Sequence, residues 1–477
     1  MNEYVIHARA PGKIVMVGFG AIGQGVLPLI LRHLGVTTDD ITIVTADERG
    51  HDEAREYGIR FVNHALTRDN YREVLTPLLT PGTFMVNLSV DVSSIALVEL
   101  CQQHQTLYID TCIEPWAGGY TDPHKSLSER SNYAFREQAL ALRQKYPNGR
   151  TAIFANGANP GMVSHLLKQA LLNLHHDIHG EDTQGEVTTP TDRNGWAKLA
   201  QKLNIKTIHV AERDTQITDR PKQMNEFVNT WSVDGFVGEG CQPAELGWGS
   251  HERHFPSDGS RHEFGCGAAI FLKRPGATVR VRTWTPDYGP FHGFLITHNE
   301  AISISDYLTV REGDKIAYRP TCHYSYHPCD SAVVSLHEFN GRNFKLQPKQ
   351  RILRDEITDG MDELGVLLAG HAKGAYWFGS QLTAKEAKTL APHNSATTLQ
   401  VTSAVLAGMV WAIENPQAGI VEAEDMDFQR TLEVQKPYLG KLLGQYTDWT
   451  PLQHRNEVFA EDVDGSDPWQ FKNVRVL

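Results

Sequence analysis

Over the first 160 residues, short apolar runs alternate with segments in which apolar residues recur at helical spacing. The run at 14–17 reads IVMV, an uninterrupted apolar stretch typical of a strand buried on both faces of a parallel sheet. After it, apolar residues recur at helical spacing as far as Leu34, and Gly35 stands where a helix C-cap falls. Further apolar runs lie at 41–47, 84–89, 107–110 and 151–156. This alternation predicts an α/β fold with a doubly wound parallel sheet.

Beyond a polar, turn-rich stretch at 175–195, which we interpret as a connection, the pattern changes to strand-like pieces separated by long loops. Those pieces predict a mixed or antiparallel sheet and lie at 205–211, 268–274, 278–284 and 331–339. A long apolar segment at 395–416 predicts a helix that ends at Pro416 and packs back on the first domain. We therefore expect three parts, namely a nucleotide-binding domain at 1–160, an inserted mixed α+β domain at 161–390 and a returning C-terminal helical segment at 391–477.

Composition and charge narrow the class of protein. The 477 residues carry a formal net charge of −12, which argues against a nucleic-acid partner, because nucleic-acid-binding proteins present a basic face. Six cysteines, with no CxxC pair, are typical of a reduced intracellular chain. We find no signal peptide and no apolar stretch that approaches the roughly 18 residues of a membrane span. We expect a cytoplasmic protein with no membrane partner.

The glycines at 18, 20 and 23 form a G-x-G-x-x-G motif between the first strand and the first helix, as in Rossmann domains. Gly18 permits a tight turn, Gly20 lets the backbone approach a pyrophosphate, and Gly23 lets helix and strand pack closely. Ala21 and Ile22 lie in the first helical turn, whose free N–H groups attract phosphate.

Asp47 ends the second strand, where an acidic side chain accepts hydrogen bonds from the adenosine ribose and repels a 2′-phosphate. This favours NAD over NADP as cofactor, although the neighbouring Arg49 weakens that preference. The alternative interpretation of Asp47 is a helix cap.

Polar residues follow other strands of the first domain. Asp91, Asp110 and Glu114 come after the apolar runs at 84–89 and 107–110, so we expect them at the carboxyl edge of the sheet, where the cofactor cleft opens. Asn159 precedes Pro160 and a helical pattern, which predicts an N-cap with proline at N1. The Asn159 side chain would also lie beside that edge.

The second domain carries carboxylates near an exposed tryptophan. Such a group suits an ammonium ligand, because indole faces bind cations and carboxylates form charge-assisted hydrogen bonds, although acidic loops are more often only solvated. The residues are Glu212, Asp214, Trp231, Asp234, Glu239 and Glu245. The histidines at 251, 254, 262, 323 and 327 complete no zinc-site spacing, so we expect no metal. His298 follows a strand-like run and is either a general acid/base or a structural histidine.

Several long motifs carry a family resemblance. They are AERDTQ at 211–216, NTWSVDGFVGEG at 229–240, PAELGWGSHE at 243–252, GFLITHNEAISISDYL at 293–308 and YRPTCHYSYHPCDSA at 318–332. With the Rossmann start, they resemble the bacterial homospermidine synthases and, more distantly, the saccharopine dehydrogenase-type reductases. The resemblance implies a homodimer, with the inserted domain serving catalysis and dimerisation. The implied reaction joins two molecules of putrescine, or one putrescine and spermidine, while NAD takes up a hydride and returns it.

The resemblance also implies roles for individual residues. Trp231 would hold the cationic intermediate near the nicotinamide through its ring face. Glu212 and Glu239 would bind amine groups, with Glu239 the better candidate for proton transfer. The pocket would be completed by Asn159, Glu114 and His298, by Asp91 and Asp110 on the cofactor side, and by an acidic contact from Asp362 in a DGMDELG helix.

Two other functions compete with this one. A saccharopine or carboxynorspermidine dehydrogenase-type reductase would use external NAD(P)H on a substrate that bears a carboxylate, which calls for arginine or lysine in the pocket. The stretch 229–248 contains neither residue, and this favours diamines. A catalytically silent NAD-binding scaffold or redox sensor is the second alternative.

Overall fold

The computed structural model describes residues 4–180 and 189–477. The first part of the chain forms a parallel sheet with helices on its faces, as the apolar pattern predicts. Its strands are β1 Ile14–Val17, β2 Ile41–Thr45, β3 Arg60–Asn63, β4 Phe84–Asn87, β5 Leu107–Asp110 and β6 Ala152–Ile153. Its helices are α1 Ala21–His33, α2 His51–Glu56, α3 Tyr71–Leu75, α4 Ser94–Gln103 and α5 Asn132–Lys145.

The middle of the chain forms the second domain. Its helices are α6 Met162–His179, α7 Arg193–Lys202, α8 Val233–Cys241, α9 Asn299–Tyr307, α10 Asp330–Gly341 and α11 Ala384–Leu390. Its strands are β7 Thr207–Asp214, β8 Ile217–Thr218, β9 Glu226–Asn229, β10 Pro243–Gly247, β11 Gly259–Arg261, β12 Ala269–Pro275, β13 Arg280–Thr285, β14 Gly289–Phe294, β15 Val310–Glu312, β16 Lys315–Tyr318, β17 Thr321–His327, β18 Lys349–Ile352, β19 Ile357–Asp359, β20 Met361–Ala369 and β21 Ala375–Thr383.

The C-terminal part serves both domains. Its elements are α12 Ala396–Glu414, β22 Ile420–Val421, α13 Phe428–Gln435, β23 Lys441–Thr447, α14 Phe471–Val474 and β24 Arg475–Val476. Helix α12 packs against α1 and β5, and β22 adds a seventh parallel strand to the first sheet, in the order β22-β6-β5-β4-β1-β2-β3. Strands β23 and β24 instead pair with β21 and β13. The segment 391–477 thus returns to the first domain only in part, because its last strands complete the second sheet.

The second sheet is mixed and has 11 strands, with the path β11-β12-β10-β17-β7-β20-β21-β23. Strands β17 and β7 run parallel at its centre, and β20 pairs antiparallel with β7 on the other side. The prediction of a Rossmann-type parallel sheet with an inserted mixed domain is therefore confirmed.

Two local predictions are wrong. Residues 331–339 form part of helix α10 rather than a strand, because the buried side chains Ala332, Leu336 and Phe339 follow helical spacing. Residues 361–365, predicted as a helix, belong to strand β20, which is buried and hydrogen-bonded on both edges. Pairing with two neighbouring strands, which depends on distant segments, gives this stretch its strand conformation.

Two further expectations need adjustment. Helix α6 extends to His179, so the first residues of the stretch interpreted as a connection are helical, whereas 181–188 lie outside the described residues. By length and hydropathy, α12 is the one helix of the described ranges that could cross a membrane, contrary to our expectation that no stretch approaches that length. Most of α12 is nevertheless buried inside the fold, as the core helix of a globular protein is.

Candidate active site

A cleft of about 300 Å³ opens at the carboxyl ends of β1, β2 and β4. Gly18, Gly20, Ala21 and Ile22 line it, as predicted for cofactor contacts. Gly18 has a φ of +84°, and a Cβ there would lie 2.7 Å from the backbone nitrogen of Ser89, so only glycine fits this turn.

The other two glycines of the motif divide their roles as predicted. A Cβ at Gly20 would meet no protein atom within 4 Å, which leaves an open cradle at the N-cap of α1. A Cβ at Gly23 would lie 3.0 Å from the carbonyl oxygen of Gly18, so Gly23 serves close packing of helix on strand and does not line the cleft. The first turn of α1 carries no acidic side chain, and its free N–H groups suit a pyrophosphate.

Asp47 lines the same cleft, at the end of β2. Its Oδ1 atom accepts a hydrogen bond of 2.8 Å from the backbone N–H of Arg49, and its Oδ2 atom accepts one of 2.8 Å from Nε of that residue. The Arg49 guanidinium therefore lowers the pKa of Asp47 and keeps the carboxylate ionised. Asp47 is not a helix cap, since Gly50 holds the N-cap position of α2. An ionised carboxylate at this point suits ribose hydroxyls.

Asp91 and Asp110 occupy different surroundings. Asp91 lines the cleft with a left-handed φ of +62°, and its backbone N–H donates to Oε2 of Glu114 over 3.3 Å. Asp110 does not line the cleft, because its carboxylate accepts hydrogen bonds from the Tyr108 hydroxyl at 2.7 Å and the Ala155 N–H at 2.6 Å. Burial raises the pKa of Asp110 to about 7. The structure therefore does not support a direct cofactor contact for Asp110.

Three carboxyl groups meet on one face of the second sheet. Glu212 and Asp214 are two residues apart on β7, and Asp362 on β20 is the register partner of Asp214, so all three side chains share that face. All three are buried. Burial raises the pKa of each carboxyl above its usual range, and repulsion from neighbouring carboxylates raises the pKa of Glu212 and Asp362 further. The predicted acidic contact from Asp362 thus lies within this cluster, although on a strand and not on a helix.

Hydroxyl and amide donors surround the cluster. The Tyr324 hydroxyl donates to Oε2 of Glu212 over 2.5 Å, and Nδ2 of Asn159 donates to the same oxygen over 3.1 Å. Asn159 is therefore not the predicted N-cap, which Gly161 provides for a helix that begins at Met162. Its side chain is free to bind Glu212, and this brings together two predicted site residues.

His298 lies between two carboxylates. Its Nε2 atom is 3.0 Å from Oε2 of Glu239, and its Nδ1 atom is 3.3 Å from Oε1 of Glu300. Burial alone would lower the pKa of His298, but these two carboxylates raise it to about 10. The imidazole is therefore a cation at neutral pH. It stands at the N-cap of α9, beyond the end of β14.

Trp231 stands at the start of the segment that leads into α8. Its Nε1–H donates to the Tyr326 hydroxyl over 3.0 Å, and its ring lies 5.5 Å from that of Phe236. The indole is only partly buried, so part of the side chain remains accessible.

Glu114 is buried at the carboxyl edge of the first sheet. Burial raises its pKa to about 8, and the charges of Asp91 and Glu239 act in the same direction. Glu114 thereby links the cofactor cleft, through Asp91, to the His298–Glu239 pair.

Tyr324, Tyr326 and Glu300 are site residues that our sequence reasoning missed. The alternation of TCHYSYH along β17 carries a usable signal for the tyrosines, because it places both on one face of a strand. Glu300 gives no such signal, since its position beside His298 depends on the start of α9.

Among the described residues, four acidic groups of the site have no lysine or arginine partner. Within residues 4–180 and 189–477, no lysine or arginine forms a salt bridge or side-chain hydrogen bond with the carboxylates of Glu114, Glu212, Glu239 or Asp362. Their side-chain partners are neutral donors and His298. A group of carboxylates with no such partner except the His298 cation beside Glu239 is suited to a ligand that brings positive charge of its own.

The histidines weighed as metal ligands have other partners. His251 contacts the Trp469 carbonyl, His254 contacts Asp464, and His262 contacts Ser128 and Glu245. Among the described ranges, no three His, Cys, Asp or Glu side chains form a group that could hold a metal ion.

Comparisons with known proteins agree with this geometry. The saccharopine dehydrogenase NADP binding domain family matches residues 14–153, and the saccharopine dehydrogenase C-terminal domain family matches residues 157–447. Homospermidine synthase of Blastochloris viridis is 56% identical over 483 residues, which cover 100% of both chains. Homospermidine synthase of Mesorhizobium japonicum is 53% identical, with 100% of this chain and 98% of the relative covered.

Solved structures show the same relationship. Homospermidine synthase of Legionella pneumophila, crystallised in complex with NAD, superposes with a TM-score of 0.91 at 46% identity, over 98% of each chain. Saccharopine dehydrogenase of Saccharomyces cerevisiae superposes with a TM-score of 0.50 at 10% identity, over 91% of this chain and 100% of the other, which is a likeness of fold alone.

Proposed function

The chain belongs to the homospermidine synthase family, and we propose that its site joins two molecules of putrescine into sym-homospermidine with release of ammonia. The observation that carries this proposal is a set of buried carboxyl groups beside a cleft for NAD, namely Glu114, Glu212 and Asp362, which have no lysine or arginine partner within residues 4–180 and 189–477. A diamine brings positive charge to carboxyl groups other than those that the His298 cation contacts.

The residues of the first domain fit NAD. Gly18 permits the tight turn, Gly20 leaves room for the pyrophosphate, the first turn of α1 offers N–H groups, and Asp47 offers an ionised carboxylate to the ribose. When bound, NAD accepts a hydride from an amine-bearing carbon and later returns one, so that no net oxidation results. The remaining steps depend on side chains of the second domain and of the sheet edge.

Carboxylates hold the diamine at its two ends. Glu212, supported by Asn159, accepts charge-assisted hydrogen bonds from one ammonium group, and Asp362 adds an acidic group beside it. Glu239 and Glu114 face the other amine near the cofactor cleft. Because these groups come from both domains, the substrate lies where the domains meet.

A proton must leave the amine before hydride transfer, because an ammonium nitrogen has no lone pair to support the loss of hydride. Glu239 is the base, since part of its side chain remains accessible while His298 contacts the other part. The His298 cation balances the charge of Glu239 and of Glu300 until the proton moves.

The ring of Trp231 stabilises the cationic imine nitrogen without offering a nucleophile. Its N–H is already bonded to Tyr326, so only the ring face is presented to the ligand. Exclusion of bulk water by the buried surroundings protects the imine from hydrolysis until the second amine attacks.

The experiment that tests the proposal supplies purified protein with putrescine and a catalytic amount of NAD, and measures polyamine products and ammonia. We expect homospermidine and ammonia in equal amounts, many times in excess of the NAD added. Product that needs stoichiometric NADH and an added aldehyde would instead favour a reductase of the wider family. Absence of any product would favour a silent scaffold.

We further propose that the protein is a cytoplasmic homodimer that accepts spermidine as an alternative second amine. The six free cysteines support a reducing compartment, and the family resemblance supports the dimer. Light scattering coupled to gel filtration gives the mass in solution, and a mass close to the 53.3 kDa of one chain would rule out a stable dimer.

A further inference from the structure

Strand β17 carries two tyrosines, Tyr324 and Tyr326, whose side chains contact residues of the amine site. The proposed reaction assigns neither of them a role beyond a hydrogen bond. Tyr324 and Tyr326 are two residues apart, so their side chains leave the same face of the strand. Their rings are buried and stack with centroids 5.2 Å apart at an angle of 11°. Tyr326 is the register partner of Glu212 on β7.

Tyr324 contacts groups on both sides of the site. Its hydroxyl donates to Oε2 of Glu212 over 2.5 Å. Its ring stacks on the imidazole of His298, with centroids 4.2 Å apart at an angle of 27°. One side chain thus determines where the Glu212 carboxylate lies relative to the His298–Glu239 pair.

Tyr326 holds the tryptophan. Its hydroxyl accepts the Nε1–H of Trp231 over 3.0 Å, and its ring packs against Phe236, which also contacts the indole. Hydrogen bond and ring contacts together fix the plane of the indole, and therefore the direction in which the face of Trp231 points.

We propose that Tyr324 and Tyr326 are positioning residues of the amine site, Tyr324 for the Glu212 carboxylate and Tyr326 for the indole of Trp231. This inference rests on the proposed function, because it assumes that both groups bind the diamine. Rigid support of this kind keeps binding groups in their productive geometry.

The two roles predict different defects. A phenol that donates to a carboxylate favours its ionised form, so Tyr324→Phe should make the ionised form of Glu212 harder to reach. We expect kcat/KM at pH 6 to fall about tenfold below wild type, which is the effect of one hydrogen bond to a charged group, and the difference to narrow by pH 9. A merely structural role would lower the rate equally at all pH values.

Tyr326→Phe should act only through the indole N–H. In a Trp231→Phe background, which has no such N–H, we expect the added Tyr326→Phe change to have no further effect on kcat/KM. Tyr324→Phe should keep its pH-dependent loss in that background. Tyr318→Phe is the matched control, because the Tyr318 hydroxyl donates to the Ile205 carbonyl over 2.8 Å, outside the site.

The experiment measures homospermidine formation from pH 6 to pH 9, together with calorimetric binding of putrescine to the NAD-loaded protein over the same range. A Tyr324→Phe profile parallel to wild type, or a Tyr326→Phe loss that persists in the Trp231→Phe background, would overturn the inference. Absence of homospermidine from the wild type would overturn the proposed function alone, because the calorimetric profiles still decide the role of Tyr324.

Discussion

The imidazole of His298 and the carboxylate of Glu239 form a largely buried ion pair, with Nε2 and Oε2 only 3.0 Å apart. His298 has a pKa of about 10 in the folded protein, above the value of about 6.5 expected for the unfolded chain. The stability that the pair contributes is therefore fully present below about pH 6.5 and is lost as the pH rises toward 10.

This pair predicts a pH-dependent stability difference. We expect wild type to be more stable than His298→Gln at pH 7, and the difference to shrink steadily between pH 7 and pH 10. Thermal unfolding of both proteins at several pH values measures it. A difference that stays constant over this range would mean that His298 is neutral in the folded state.

A substitution at Gly20 should change the affinity for the cofactor without changing the stability of the fold. Because a Cβ at this position meets no protein atom, Gly20→Ala should leave the melting temperature nearly unchanged, yet the methyl group enters the space meant for the pyrophosphate. We expect NAD affinity to fall by about tenfold or more, measured by calorimetry.

Gly341→Ala is the matched control for this change, since a Cβ there also meets no protein atom and the residue lies in α10, outside the cleft. Unchanged NAD affinity in Gly20→Ala would show that the cofactor does not approach the backbone at this glycine.

Asp47 should determine which dinucleotide binds. Removal of its carboxylate in Asp47→Ser deletes charge-assisted hydrogen bonds to the ribose, so we expect NAD affinity to fall about 10- to 100-fold. The same change removes the repulsion of a 2′-phosphate and leaves Arg49 free to bind it, so NADP should lose less affinity than NAD or gain some. Titrations with both dinucleotides test this, with the exposed Asp39→Ser outside the cleft as control. An unchanged ratio of the two affinities would contradict the assignment.

Trp231 should matter for turnover and not for cofactor binding. It does not line the NAD cleft, whereas the next residue, Ser232, does. We expect Trp231→Ala to retain NAD affinity but to lose about 30-fold in turnover, the equivalent of about 2 kcal/mol from a desolvated cation–π contact. Trp231→Phe keeps a ring face and should lose less. A turnover of Trp231→Ala near that of wild type would remove this residue from the site.

The cofactor end of the site could be predicted from the sequence because its signals are local. Gly18 needs a positive φ, and Gly20 faces open space. Asp47 comes after the next helix and strand along the chain, α1 and β2. A buried parallel strand also has a clear apolar pattern, so β1, β2, β4, β5 and β6 were predicted, whereas the more exposed β3 was missed.

The amine end depends on contacts between distant segments, and there the sequence is less informative. Asp362 joins Glu212 only because β20 pairs with β7 in one particular register, and the segment around it was expected to be a helix from the resemblance. Asn159 is a residue type that often caps helices. The helix begins only at Met162, however, and the Asn159 amide donates a hydrogen bond to Glu212. Position along the sequence had already indicated Glu212 and Asn159, whereas Asp362 came only from the resemblance to a known family.

The cluster of Glu212, Asp214 and Asp362 has a consequence for how the ligand enters. Burial and neighbouring carboxylates raise the pKa of Glu212 to about 7 and that of Asp362 well above its usual range, which favours their protonated forms in the free protein, and an arriving diamine must displace those protons. The site then works as a cation exchanger in its proton form, and each diamine bound releases acid to the solvent. Calorimetric heats of binding should consequently change with the ionisation enthalpy of the buffer, and affinity for putrescine should rise with pH until the amines themselves lose their charge.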